Sequence, residues 1–332
     1  MENERNDYYN YIRVSEPEKE YKAYAWNTAI GLQEVDGLKV SSYLIDIARK
    51  HIDGEISIDQ AKDLVKNYYQ AKGNRNSIQG RTIEADLVAA NIAETLSEDG
   101  FVFSVAQLIS IHKNLFENIF ESAGKIREYN ISKEEWILDG ESVKYGNAPD
   151  IKELLEYDFK QEKEFSYKGL SIDQIIKHLA RFTANLWQIH PFEEGNTRTV
   201  AVFLIKYLKT LGFNVTNDIF ANNAWYFRNA LVRANYSNLT KGVYETTEYI
   251  ERLLRNLLLN ESNSLQNRDL HVEEEENIFS QPYAIHNVGR PIANLPDNWN
   301  EIISKWKTGE ISATKAMELT GVKKTTFYKY SK

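Results

Sequence analysis

Apolar residues recur three and four positions apart along most of the chain, the spacing of helices that bury one face. Residues 26–70 hold three such runs, AWNTAIGLQEVDGLK, SSYLIDIARKHIDGE and SIDQAKDLVKNYYQ, with Ser41 and Ser57 before the second and third as N-caps. AKGNRNSIQG, 71–80, collects turn-forming residues and reads as a linker. A second helical body runs from Thr82 to about Asn260, its longest periodic stretches being IDQIIKHLARFTANLWQIH and RTVAVFLIKYLKTLG. One segment breaks the pattern: EEWILDGESVKYG, 134–146, sets short apolar stretches on either side of an Asp-Gly pair, as a β-hairpin does. From Glu261 to Pro296 the chain turns polar, with four glutamates at 273–276, and reads as a linker. Helical spacing returns over 297–332. These patterns predict a mainly α protein: a small N-terminal helical module (1–75), a helical body with one hairpin (76–260), a linker (261–296) and a helical tail (297–332). No internal repeat is evident.

Composition narrows the chemistry. At 332 residues and 42% hydrophobic, the chain can bury a sizeable core. No apolar run reaches the roughly 18 residues of a membrane span, and the charged, aromatic start MENERNDYYNYIRVSEPEKE is unlike a signal peptide. The cytoplasm is therefore the expected location, with no membrane partner. With no cysteine, disulfides, thiolate metal sites and thiol nucleophiles are excluded, leaving His, carboxylates and hydroxyls. The net charge of −8 argues against a chain that coats nucleic acid along its whole length. The tail differs, holding seven Lys against four Asp or Glu, a local charge of +3.

The densest chemistry lies in IHPFEEGNTRT, 189–199, between the two longest periodic runs. His190 ends one helix, Pro191 and Gly195 shape a loop, and Thr197 to Thr199 open the next helix. A helix start preceded by Gly-Asn offers free N–H groups to an anion, and Arg198 adds a bidentate phosphate donor. Glu194 suits the Mg²⁺ that accompanies a nucleotide polyphosphate. His190 titrates near neutrality and suits a general base. Phe192 is assigned to packing. Taken singly, each polar residue also has a plainer reading, as a cap, a solvated charge or a turn. Together they describe a phosphoryl or nucleotidyl transfer site.

The stretch HPFEEGNTRT resembles the signature of the Fic family, written HPFx(D/E)GN(G/K)R, and matches it at His190, Pro191, Phe192, Glu194, Gly195, Asn196 and Arg198. The resemblance continues through AGKIREYNISKEEWILDGESVKYG upstream and WYFRNALVRANY downstream, over roughly 76–260. It implies a Fic-type helical core with a β-hairpin flap at 134–146 that docks a target protein, and transfer of AMP from ATP to a protein hydroxyl. By this resemblance His190 is the base, Glu194 holds Mg²⁺, Gly195, Asn196 and Thr197 form the phosphate loop, and Arg198 clamps the β/γ-phosphates. Thr197 departs from the usual glycine. The kinase-like Doc branch carries Ala and Lys around the Asn, which favours nucleotidyl transfer here. Transfer of UMP, phosphoryl or phosphocholine stays open, as does a nucleotide-sensing transcriptional regulator without catalysis.

The flanks are read in the same way. Residues 26–70 are similar to antitoxin modules that accompany some Fic toxins and inhibit through a [ST]xxxE[GN] helix whose Glu pairs with the phosphate-binding Arg. No strict match exists in this chain, and the candidate inhibitory acids are Glu34, Asp36 and, after the core, Glu251. The tail resembles a helix-turn-helix: WNEIISKWKTGE, SATKAMELTG, then KKTTFYKYSK as a short recognition helix. Its candidate DNA contacts are Lys323, Lys324, Thr325, Thr326 and Tyr328; a protein-docking module is the alternative. The sequence is compatible with a monomer or an oligomer.

Overall fold

The computed structural model describes residues 17–72, 77–272, 295–296 and 298–331. Its elements in chain order are α1 (Pro17–Gly31), a 3₁₀ turn (Leu32–Asp36), α2 (Ser42–Ile52), α3 (Ile58–Lys72), α4 (Ser77–Ser97), α5 (Val105–Phe116), α6 (Ile151–Glu164), α7 (Ile172–Ile189), α8 (Asn196–Thr210), α9 (Ile219–Ala234), α10 (Glu248–Leu259), α11 (Trp299–Lys307), α12 (Ala313–Thr320) and α13 (Lys324–Tyr330). The fold is mainly α, as the periodicity predicts.

Helix α8 is the axis. Every residue from Asn196 to Leu208 is buried, so this helix has no solvent face and α4, α5 and α7 pack around it. Its one buried amine, Lys206, donates to the Thr95 and Glu98 carbonyls at 2.8 and 2.7 Å, capping the end of α4. The predicted caps hold. Ser41 Oγ accepts from Leu44 N, and Ser57 and Gln60 exchange the two bonds of a capping box. Helix α1 lies along α4, and the turn that follows buries Leu32, Gln33 and Val35.

Three boundaries move. The linker read at 71–80 is shorter, since α3 reaches Lys72 and α4 begins at Ser77; 73–76 lie outside the described residues. The polar stretch from Glu261 begins packed on the core. There Asn256 holds Asn263, Leu270 is buried, and Val272 N donates to Ile137 O at 2.8 Å. Most of the rest, with the glutamates at 273–276, lies outside the described residues. The hairpin at 134–146 is a chain reversal without strands. Asp139 and Gly140 adopt the positive φ of an Asp-Gly turn, 57° and 85°, and Glu135 N donates to Glu141 O at 2.9 Å. Ile137 and Leu138 are adjacent and both buried. Neighbours on a strand face opposite ways, so the segment curls into a 3₁₀ turn, Trp136–Leu138, that turns both inward.

The tail forms a three-helix unit. Trp299, Ile302, Ile303, Ala313, Ala316, Met317 and Phe327 are its buried core, with Phe327 edge-on to Trp306 at 5.1 Å.

Candidate functional site

His190 caps α7 with left-handed backbone, φ 49° and ψ 60°. Its Nδ1 lies 3.2 Å from the Trp187 carbonyl. A carbonyl only accepts, so Nδ1 carries the proton and Nε2 is the basic nitrogen. Burial pushes the imidazole down to about 3, against the smaller opposing effect of the Trp187 carbonyl; Lys133, Arg127 and Arg228 add to the lowering. The ring is neutral at physiological pH, packed against Tyr145 at 4.2 Å and edge-on to Trp187 at 5.0 Å.

The loop from His190 to α8 is braced from several sides. Arg127 is buried and donates through Nε to the His190 carbonyl at 2.7 Å, through one terminal nitrogen to Tyr129 O at 2.5 Å and through the other to Gly146 O at 2.5 Å. One guanidinium thus ties the His190 backbone to Tyr129, ahead of segment 134–146, and to Gly146 at its end. His112 accepts from Gly124 N at 2.8 Å and donates to Glu194 O at 3.0 Å, while its ring stacks on Phe192 at 3.7 Å. Burial holds it neutral, pushed down to about 4. Asn196 Oδ1 accepts from Phe192 N at 2.9 Å and its Nδ2 donates to Phe192 O at 2.8 Å. That side chain shapes the loop, so its contribution to an anion site is its main-chain amide.

Gly195 has φ 75°, and a Cβ there would sit 2.3 Å from the Phe116 ring; both backbone and space require glycine. The amides of Asn196, Thr197 and Arg198 precede the first bond of α8, from Thr199 N to Gly195 O, which leaves a helix start able to receive an anion. Thr197, the departure from the family pattern, accepts from the buried Trp187 indole N–H through Oγ1 at 2.9 Å. Its hydroxyl does a task glycine cannot.

Around this loop lies a cavity of about 360 Å³ whose wall includes His190, Glu193, Glu194, Gly195, Asn196, Thr197, Tyr145, Lys133, Arg228 and Asp36. Arg228 pairs with buried Glu135 at 2.7 Å. The Glu194 carboxyl is raised by burial and then by neighbouring Asp36, with Lys133 and Arg198 opposing. A carboxylate set this way gains from a cation, so Glu194 is the residue of this wall that would suit a Mg²⁺ ion.

Arg198 is more enclosed than a solvent-facing phosphate clamp. It is 1% exposed. Asp36 Oδ2 lies 3.0 Å from its Nε, Glu84 Oε1 accepts at 2.9 Å, and Gln33 Oε1 accepts at 3.1 Å. The Phe116 ring lies 4.8 Å away. Of the three candidate acids only Asp36 reaches the arginine, because the 3₁₀ turn that buries Gln33 brings it there. Glu34 on the same turn is exposed. Glu251 accepts from Thr247 Oγ1 at 2.7 Å at the start of α10.

Two tail residues read as DNA contacts instead face the core. Lys324 is buried with its ammonium 3.3 Å from Asp158 of α6. Tyr328 packs beside them, its phenol pushed up by burial and by Asp150, Asp158 and Glu153. Lys323 is exposed; the side chains of Thr325 and Thr326 lie outside the described residues. Arg127, His112, Glu84 and Gln33 escaped sequence reading, since each meets its partner across a large separation along the chain.

Known proteins are similar to this chain over the stretch that holds the loop. Residues 102–208 match the Fic/DOC family. Over 116 residues, 35% of this chain and 23% of the relative, the sequence is 28% identical to protein adenylyltransferase VbhT of Bartonella schoenbuchensis. Over 107 residues, 32% of this chain and 53% of the relative, it is 29% identical to the probable protein adenylyltransferase y4lH of Sinorhizobium fredii. A protein adenylyltransferase of Bartonella henselae is 25% identical over 142 residues, 40% of this chain and 26% of the relative. The chain thus spans about a quarter of the Bartonella proteins and about half of the Sinorhizobium one. Residues 102–208, which hold the loop, His190 and most of α8, are thus the part of this chain that matches the Fic/DOC family.

Proposed function

We propose that this chain transfers AMP from ATP to a hydroxyl of a target protein. The observation that carries the reading is the meeting, in one cavity, of a neutral imidazole with its basic nitrogen specified, a helix start with free amides and a carboxylate suited to a cation. His190 Nε2 takes the proton of the target hydroxyl. The hydroxyl oxygen then bonds to the α-phosphorus of ATP, the bond from that phosphorus to the bridging oxygen breaks, and pyrophosphate leaves. The imidazolium returns its proton to water. Mg²⁺ on Glu194 would neutralise charge on the leaving phosphates. The first amides of α8 receive the phosphate oxygens, and the Asn196 brace holds them in place. Segment 134–146 borders the cavity and is the proposed docking edge for the target, held through main-chain hydrogen bonds.

The resting protein is restrained in this reading. Asp36 and Glu84 both hold Arg198, the cation required by the terminal phosphates of ATP, so nucleotide enters misaligned until a carboxylate leaves. A second function is proposed for the tail, DNA binding by its three-helix unit, supported by its helix-turn-helix pattern and local charge of +3. Incubation with a cell lysate and ATP labelled at either the α- or the γ-phosphate separates the chemistries. Protein labelling from α-label alone is expected. Labelling from γ-label marks a kinase, and labelling from neither leaves a nucleotide sensor.

A further inference from the structure

The tail is docked against the catalytic body by the helix that its sequence offers to DNA. Lys324 and Asp158 are both buried, 3.3 Å apart. An ammonium and a carboxylate withdrawn from water are tolerated only as a pair. Tyr328 lies on the same helix, and its hydroxyl is buried without a hydrogen-bond partner. Beside it a cavity of about 330 Å³ separates Trp306 and Lys307 of the tail from Lys144, Tyr145 and Gly146 of the body. The contact is thus electrostatically locked at one point and loosely filled at another. Such an interface can part when a competitor supplies the missing charge.

We propose that the Lys324–Tyr328 face of α13 serves either the catalytic body or duplex DNA, but not both, so that DNA binding requires the tail to leave α6. The inference rests on reading the tail as a DNA-binding unit. A phosphate backbone presents Lys324 with the anionic partner that Asp158 now provides. Docking hides the competent face in most molecules, and apparent affinity falls by that hidden fraction. Removing the Asp158 carboxylate, which belongs to the body and holds Lys324 away from DNA, should therefore tighten DNA binding.

The test uses the full chain and a mixed-sequence fluorescein-labelled duplex at low salt, followed by anisotropy. Asp158→Asn is expected to bind about tenfold more tightly than wild type, and adding Lys324→Gln in that background should cancel the gain. Docking is read independently from paired spin labels on Lys160→Cys and Lys315→Cys, in a chain that has no cysteine of its own. The distance between them should lengthen in the Asp158→Asn background, and in the otherwise wild-type chain when duplex is added. Undocking without a gain in affinity overturns the proposal, since DNA then does not use the face that docking hides, and absence of binding in every variant removes the DNA reading itself. A variant that stays docked overturns the proposal by removing the lock. None of these outcomes bears on AMP transfer, because Asp158 and Lys324 lie outside the cavity that holds His190.

Discussion

At the scale of single residues, the site depends on polar atoms whose partners specify their state. His190 could be nominated from the sequence as a base because its chemistry is its own. Its tautomer could not, because that depends on where the Trp187 carbonyl falls. The same holds for Thr197, an unexplained departure in the sequence and a buried acceptor for Trp187 in the structure. Thr197→Gly strands a buried indole N–H, so it should lower unfolding free energy by about 1–3 kcal/mol in chemical denaturation, while Thr197→Ser restores most of it. Equal stability of Gly and wild type would contradict the assignment. The acid limb of activity also belongs here. With its pKa depressed to about 3, His190 stays in its basic form as pH falls through neutrality. Glu194 is shifted the other way, upward, so its carboxylate is lost earlier on acidification. Because Mg²⁺ and protons compete for it, the acid limb of kcat/KM should move to lower pH as Mg²⁺ is raised. A limb near 6.5, the ordinary histidine value, that ignores Mg²⁺ would assign it to an imidazole instead.

At the scale of elements, helices and their caps were legible because their signals are local. Ser41 and Ser57 each act within one turn. The segment 134–146 was legible only in part. Its Asp-Gly turn is a local signal, whereas the burial of both Ile137 and Leu138 is set by the core beneath them. What holds this segment beside the base is Arg127, whose acceptors lie at Tyr129, Gly146 and His190. Lysine has one ammonium and no planar fork, so it cannot serve these carbonyls together. Arg127→Lys should cost on the order of 3 kcal/mol of stability and lower kcat, read by denaturant titration and initial rates. Unchanged kcat would mean that segment 134–146 and His190 are positioned independently of this residue.

At the scale of the molecule, distant parts of the chain converge on the start of α8. Asp36 comes from the N-terminal segment and Glu84 from α4, and both end on Arg198. A one-dimensional pattern could nominate Asp36 from its neighbour Gly37, but not Glu84, which lies within a regular helix. If these carboxylates restrain transfer, Asp36→Asn and Glu84→Gln should each raise activity, mainly in kcat, and the pair should exceed either alone; Glu34→Gln and Glu251→Gln should do nothing. A fall in rate with loss of thermal stability would instead make the cluster structural. The central claim is that the oriented imidazole in this cavity takes the proton of the attacking hydroxyl, whereas nucleotide affinity comes from other groups. The direct measurement is His190→Ala in the Asp36→Asn, Glu84→Gln background, with ATP binding by calorimetry beside transfer from α-labelled ATP. The account predicts near-unchanged affinity and a loss of transfer on the order of 100- to 10,000-fold; transfer retained in the variant would contradict it.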